Sequence, residues 1–469
     1  MDKITKWVWT GTLTLMGGLA LTRFITSQVS KGMIHTIMTD PYAKNLAEFY
    51  SATSRTGIQD IIETNLRAEE GRLILRPLGS PRKFVDFDGL MFNTAHLSPM
   101  STPLTEHIDT SITIGKRAPH PLRINTPLLI SGMAYGLGVS EKFKYALAYG
   151  STLAETASNT GEGPFLPYER ELANNLIIQY PRAPWNRNPS ILQQADAVEI
   201  QIGQGASAST AHRTPPGKIN TRLRRRLGIA PSQQAVIHAH MPELDSFDGL
   251  PKLVAYLRDL TDGVPIGIKF SFTHGLEENI DLCLEADVDY LALEGAQAAT
   301  IGAPPILEDD FGLPTLIGLC RTVDHLRRRQ AQDHISLIVG GGFKSPGQCL
   351  KALALGADAV YLGTTVLFAA SHTQILHALP WEPPTQLVIE GGKASSKFNW
   401  KKGAQSLAKY LQSANAEIKE GIRALGKHSL SEINEEDLVA LDKTTSEITG
   451  IPLAYSSRNV QAVFRPGSK

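Results

Sequence analysis

From Leu128 to Thr365 the chain alternates short, mainly apolar runs with stretches of helical period, and nothing else in it constrains the fold as strongly. LLISGM precedes EKFKYALAYGS; LAETAS, NLIIQY and AVEIQIG follow. QAVIHAH precedes LPKLVAYLRDLT, PIGIKF precedes LEENIDLCLEAD, and YLALEG precedes LPTLIGLCRTVDHLRRR. SLIVGGG precedes SPGQCLKALALGAD, and AVYLGTT closes the series. Apolar runs of this length, each followed by a helical period, are the signature of parallel strands buried on both faces. Leaving aside LAETAS, which carries Glu155 and Thr156, eight can be counted, and eight strand–helix units predict an α/β fold, a (β/α)8 TIM barrel of about 240 residues. A doubly wound sheet is the rival, but it would bury fewer strands, and no G-x-G-x-x-G follows the first one.

Around the barrel, predicted for residues 128–375, lie three other segments. Residues 28–127 read as a helical and irregular lead-in, with GIQDIIETNLRAEEGR as its best amphipathic stretch. Residues 376–469 read as a helical appendage, entered through LPWEPP and containing a helix from Gly403 to Leu425. Residues 1–27 hold WVWTGTLTLMGGLALT, free of charge from Trp7 to Thr22, with Trp7 and Trp9 where an interfacial belt would sit. This predicts a single-pass N-terminal membrane anchor, extended through Phe24 and Ile25 if Arg23 snorkels. A buried or interfacial amphipathic helix is its alternative. Lys+Arg 46 against Asp+Glu 46 leaves no electrostatic footprint for nucleic acid. The three cysteines, Cys283, Cys320 and Cys349, are far apart. They argue against a disulfide scaffold, a cysteine zinc site or an iron–sulfur cluster, and their free thiols suit a cytoplasmic catalytic domain.

In a barrel, reactive groups gather at the C-terminal ends of the strands. Gly340, Gly341 and Gly342 stand there before a helix starting at Ser345 or Pro346, and Gly363 and Thr364 end the next strand. Backbone N–H groups at two adjacent strand ends suit a phosphate dianion; tight barrel turns would also use such glycines. Lys269 ends PIGIKF, alternating with Ile266 and Ile268, and is costly to bury without an anionic partner. A flavin that becomes anionic on reduction, a Schiff base, or a structural salt bridge would each account for it. ASNTGEGPF gathers Asn159, Thr160 and Glu162 between glycines, with Glu162 a candidate acid/base. EIQIGQGAS adds Gln201 and Gln204 at another strand end. His238 and His240 could share a strand face, but without a third ligand no metal site is expected.

Taken in order, EHIDTSITIGKRAPHPLRINTPLLISGMAYG, NTGEG, EIQIGQGA, GIKF and GGGFKSPGQCLKALALGADAVYLGTT resemble the FMN-binding glutamate synthase family, the synthase domain of glutamate synthase and its single-domain relatives. The resemblance implies a TIM barrel holding FMN, with phosphate at Gly341, Gly342, Gly363 and Thr364. It places Lys269 near the flavin N1–C2 edge and lines the ring with Gly132, Met133, Asn159, Thr160 and Gln179. It sets Glu162 on the substrate side as a catalytic residue with Lys269, and gives substrate contacts to Gln204 and Glu294. The implied activity is FMN-dependent oxidoreduction at a C–N centre of a small amino or oxo acid. Electrons would come from an external donor protein or a membrane carrier.

Departures qualify that picture. The family's Q-G-A-K-P-G-E-G-G loop reads QGASASTAHRTPPG, so Ser207 stands where a lysine resembling a 2-oxoglutarate carboxylate binder is expected. G-H-D-G-G-T-G reads EGAQAATIGAPP, with Glu294 and Gln297 in place of the usual His-Asp pair. No cluster segment or cysteine amidotransferase segment is visible. A non-redox barrel acting on a phosphorylated substrate, or a flavin-binding module without turnover, are the alternative readings.

Overall fold

The computed structural model describes residues 3–456 apart from 46, 247, 299–300 and 382. The chain forms two compact units, Met1–Ile74 and Leu75–Lys469.

The first unit contains helices Lys3–Thr39, Ala47–Thr56 and Ile58–Glu70. The last ends at Gly71, whose φ of 58° is the left-handed conformation that glycine adopts without penalty. The anchor expectation is corrected here: no described helix is long and apolar enough to cross a membrane. Trp7–Thr22 is part of a 37-residue helix that runs on through Arg23 and Lys31 to Thr39. Thr10, Thr12, Thr14 and Thr22, with Gly11, Gly17 and Gly18, dilute the hydropathy of the uncharged stretch below what spanning requires. The single-pass localisation and the membrane as a partner fall with it.

The second unit is the barrel. Its strands are β1 Leu128–Ile130, β2 Ser158–Asn159, β3 Leu176–Tyr180, β4 Ala197–Gln201, β5 Ile266–Ser271, β6 Tyr290–Glu294, β7 Ser336–Gly340 and β8 Ala359–Leu362. They hydrogen-bond in the order β1-β8-β7-β6-β5-β4-β3-β2, every pair parallel. A backbone bond from Ile130 N–H to Ala157 O (3.2 Å) joins the two ends of this order. Helices α1 Glu141–Leu153, α2 Pro167–Leu172, α3 Pro189–Leu192, α4 Gly249–Leu260, α5 Leu276–Glu285, α6 Thr315–Arg328, α7 Pro346–Ala354 and α8 Thr364–Ser371 follow the strands.

The interior is layered. Ile114, Leu122 and Ile124, from the antiparallel hairpin Ile112–Ile114/Leu122–Ile124, share one apolar cluster with Leu129, Ile177, Tyr290, Ile338 and Tyr361. The Gly115 N–H donates to Ser336 Oγ (3.1 Å) at the start of β7, so the hairpin plugs the N-terminal end of the barrel. Outward-facing Ile266, Ile268 and Phe270 belong instead to the large cluster under the helices. The appended helix α9, Trp400–Ala424, buries Leu407, Leu411, Ile418 and Ile422 along one face. It approaches α1 closely enough that a Cβ on Gly150 would sit 2.9 Å from Leu407 Cδ2.

One strand assignment differs from the sequence pattern. In QAVIHAH, Ala235–Ile237 pairs antiparallel with His212–Thr214 outside the barrel, and the second barrel strand is the two-residue β2 at the end of LAETAS. LAETAS carries Glu155 and Thr156 while Ala235–Ile237 is apolar, so the run that looks more like a barrel strand is the one outside it; local composition carries no information about which partner a strand finds.

Gly267 is the packing requirement of β5. A Cβ there would overlap the ring of Tyr290, which is fully buried with its hydroxyl donating to Val198 O (3.0 Å). Gly267→Ala is expected to destabilise the protein by about 1–3 kcal/mol through overpacking, read as a lower denaturation midpoint at unchanged slope.

Candidate active site

β5 alternates Gly267, Lys269 and Ser271 toward the barrel axis with apolar residues toward the helices. Lys269 is 1 % exposed, and its Nζ lies 2.7 Å from Glu294 Oε1 at the tip of β6. It also sits 5.3 Å from the centre of the Tyr361 ring. Glu294 Oε1 accepts a further bond from Ser131 Oγ after β1 (3.3 Å). Burial by itself would lower the Lys269 pKa. The carboxylates of Glu294, Glu199 and Glu162 outweigh it and hold the ammonium above its ordinary value.

A second polar group fills the axis beside this pair. Glu199, fully buried on β4, accepts from Asn159 Nδ2 (2.9 Å) and Gln179 Nε2 (2.7 Å) on one oxygen and from the Tyr361 hydroxyl (2.7 Å) on the other. This fixes both amides. Asn159 turns its Oδ1 to the Gly161 N–H (2.8 Å), while Gln179 Oε1 is left buried without a partner. Gly132 fits between them, because a Cβ there would come within 2.7 Å of Asn159 Oδ1 and 2.8 Å of Gln179 Nε2. Met133 follows, 9 % exposed.

The loop after β2 carries Thr160 and Glu162. Gly161 has a φ of 66°, and any Cβ would strike the Met133 backbone at 2.5 Å, so only glycine brings this loop against the end of β1. Thr160 Oγ1 accepts the Gln179 N–H (3.0 Å), and the Trp185 indole N–H donates to the Glu162 carbonyl (2.6 Å). Behind the loop, Lys144 of α1 is fully buried and donates to Asn159 O (2.7 Å) and Thr160 O (3.0 Å). Its third partner is Glu169 Oε1 of α2, 2.9 Å away and 1 % exposed. Burial lowers the Lys144 pKa and raises that of Glu169, each opposed by its partner's charge.

Glu162 is 7 % exposed; Oε1 accepts from Gln204 Nε2 (3.3 Å), and Oε2 is buried without a partner among the described residues. Burial raises its pKa above the usual carboxylate range, against the pull of Arg182 and Lys269.

The corners after β7 and β8 meet. Gly341 and Gly342 have φ of 119° and 78°, and a Cβ would strike Thr315 Oγ1 at 2.6 Å or Gln297 Cβ at 2.8 Å. Gly363 caps the start of α8, and a Cβ there would meet nothing within 4 Å. Thr365 Oγ1 donates to Phe343 O (2.8 Å), tying one corner to the other. Among the described residues, the N–H groups of Gly341, Gly342, Gly363 and Thr364 donate to no protein acceptor.

The structure therefore groups the sequence candidates into three sets: Gly132, Asn159 and Gln179 with Thr160; Glu162 with Gln204, and Lys269 with Glu294; and the two glycine corners. Glu199, Arg182, Lys144 and Tyr361 were not among them. Glu199 carries the signal that found Lys269, a charge inside the apolar run AVEIQ; Lys144 lies on an ordinary amphipathic helix and carries none. His238 and His240 lie exposed beyond the Ala235–Ile237 strand.

Residues 93–428 match the conserved region in glutamate synthase. The chain belongs to that family. It is similar to the glutamate synthase large subunit-like protein of Rhizobium meliloti (strain 1021), 30% identical over 424 residues, covering 85% of this chain and 94% of that one. It is also similar to the archaeal-type glutamate synthase [NADPH] of Thermotoga maritima, 27% identical over 416 residues with coverage of 82% and 81%. The archaeal glutamate synthase [NADPH] of Archaeoglobus fulgidus is 27% identical over 432 residues, with coverage of 85% and 82%. Each alignment spans most of both chains, so the family assignment rests on the whole barrel and not on one loop.

Within this member of the family, Lys144→Met would leave Glu169 buried and unpaired and free two carbonyls of the active-site loop. It is expected to cost about 3–5 kcal/mol of stability by chemical denaturation. A wild-type denaturation midpoint would show that the pair does not hold the loop.

Proposed function

We propose that the mouth of the barrel holds FMN and that the chain is an FMN-dependent oxidoreductase of the glutamate synthase type, acting at the C–N centre of a small amino or oxo acid. The observation that carries this reading is the buried Lys269–Glu294 pair standing beside Glu162 at the mouth whose neighbouring corners offer unpaired N–H groups. The residues fit the cofactor. Among the described residues, Gln179 Oε1 and Gln201 Nε2 are buried without partners, an acceptor and a donor for a ring edge carrying N–H and carbonyl groups. The four N–H groups without an acceptor among the described residues and the open space at Gly363 suit a phosphate.

When bound, FMN supplies two-electron chemistry with hydride exchange at a carbon of the substrate. Gly132, Met133, Asn159, Thr160 and Gln179 would line the ring, and Gly341, Gly342, Gly363 and Thr364 would take the phosphate. Lys269 holds positive charge at the ring, with Glu294 as its counter-ion. Glu294, expected on the substrate side, is thus read here through its contact with the lysine. Glu162, oriented by Gln204, holds or moves the proton that accompanies the hydride. Reduction of a 2-oxo acid with ammonia to the amino acid releases water and consumes two electrons and two protons. The electrons come from an external donor; NADPH appears in the names of the archaeal relatives.

Purified protein is expected to carry or take up FMN and show flavin absorbance; protein that stays colourless after reconstitution contradicts the reading. In the flavin-loaded protein, Lys269→Met is expected to lower the two-electron reduction potential by at least about 30 mV, equal to about 1.4 kcal/mol. An unchanged potential would place that ammonium away from the ring.

The raised pKa of Glu162 fixes a pH dependence. The fold favours the neutral acid, so its contribution to stability is complete at acid pH and fades as pH rises through the raised folded-state value. The rate at which a 2-oxo acid with ammonium reoxidises the reduced flavin is expected to show a limb above pH 4.5, the ordinary carboxylate value, and Glu162→Gln is expected to abolish that limb. A limb that survives the substitution assigns the proton to another group.

A further inference from the structure

We propose that Arg182 binds the carboxylate of the substrate, receiving the α-carboxylate of a 2-oxo or 2-amino acid beside Glu162. The class of acid rests on the function proposed above; the binding of a carboxylate rests on the site alone.

Arg182 follows β3 at its C-terminal end and is 1 % exposed. Its hydrogen-bond partners are neutral. Nε donates to Gln201 Oε1 (3.4 Å), and Nη1 donates to Ala239 O (3.2 Å) and to Ser209 O. Among the described residues no carboxylate pairs with it, although buried guanidinium groups are ordinarily paired with an anion. Burial lowers its pKa, and the charge of Glu162 acts against this. The cation is therefore held in place by fixed carbonyls while its charge remains unneutralised by a direct partner.

The surroundings complete a receptor for a carboxylate next to a polar carbon. Gln201 Nε2 is a buried donor without a partner, and Glu162 Oε2 is a buried carboxyl oxygen without one. Ser207, an uncharged residue, brings no charge to this corner and donates its Oγ–H to Gln204 O (3.1 Å). His212 competes little, because burial and Arg182 both push its pKa down and keep it neutral. A guanidinium, an amide donor and a carboxyl group of raised pKa match, respectively, the carboxylate and the adjacent oxo or amino group of such an acid.

Calorimetric titration of the full-length protein with pyruvate and with its neutral methyl ester separates charge recognition from shape. Wild-type protein is expected to bind pyruvate about tenfold or more tightly than the ester. Arg182→Gln, with its fold checked by circular dichroism, is expected to bind the two alike. Arg182→Lys is expected to lose pyruvate affinity while keeping that of the ester. Wild-type protein that does not prefer pyruvate overturns the proposal by itself, even if Arg182→Gln fails to fold. Wild-type pyruvate affinity in both variants overturns it as well. A carboxylate preference in protein that carries no flavin would uphold Arg182 while removing the redox reading; bound flavin without that preference would do the reverse.

Discussion

An ammonium group on the axis of an eight-stranded barrel is the constraint from which the rest of the site follows. Lys269 can remain charged at 1 % exposure only because Glu294 lies 2.7 Å away and Glu199 and Glu162 add their field. Those carboxylates need partners in turn. Asn159, Gln179 and Tyr361 satisfy Glu199, Ser131 bonds Glu294, and Gln204 bonds Glu162. The lower barrel is hydrocarbon sealed by a hairpin, and the upper barrel is a polar network open to the strand tips. This division places the chemistry at one end.

Glycines decide how closely the backbone approaches that network. Gly132 and Gly161 bring the ends of β1 and β2 against Asn159 and Gln179, and Gly341 and Gly342 turn the corner after β7 beside Gly363. Lys144 works from the outer layer, holding the carbonyls of Asn159 and Thr160 so that the loop bearing Glu162 keeps its position. The barrel thus presents backbone donors at the corners after β7 and β8 and titratable side chains at the ends of β2, β5 and β6.

Much of this is legible in the chain before folding is considered. The strand–helix alternation gives the barrel, and a lysine in PIGIKF or a triple glycine after SLIV marks strand tips because such residues are costly or pointless elsewhere in a strand. What stays hidden depends on partners distant in sequence. QAVIHAH looks like a barrel strand and pairs outside it, since an apolar run does not encode its neighbour. Lys269 is visible as a buried charge, but Glu294 as its counter-ion is not, because the pairing depends on the register of β5 against β6. Arg182 lies in a polar, Pro-rich stretch where exposure is the ordinary expectation, and only the packed loops around Ser209 and Ala239 bury it. The N-terminal stretch misleads in the other direction, its missing charges suggesting a span that its threonines and glycines do not support.

The central claim is that the corners after β7 and β8 seat a phosphate while the amide and lysine side chains meet the ring attached to it. Comparing the affinities of the flavin-free protein for FMN and for riboflavin, by fluorescence quenching, tests this most directly. A hundredfold or greater preference for FMN, about 2.7 kcal/mol or more, is expected from a dianion held by four backbone donors. Equal affinities for the two would contradict the phosphate seat and, with it, the orientation assigned to every residue around the ring.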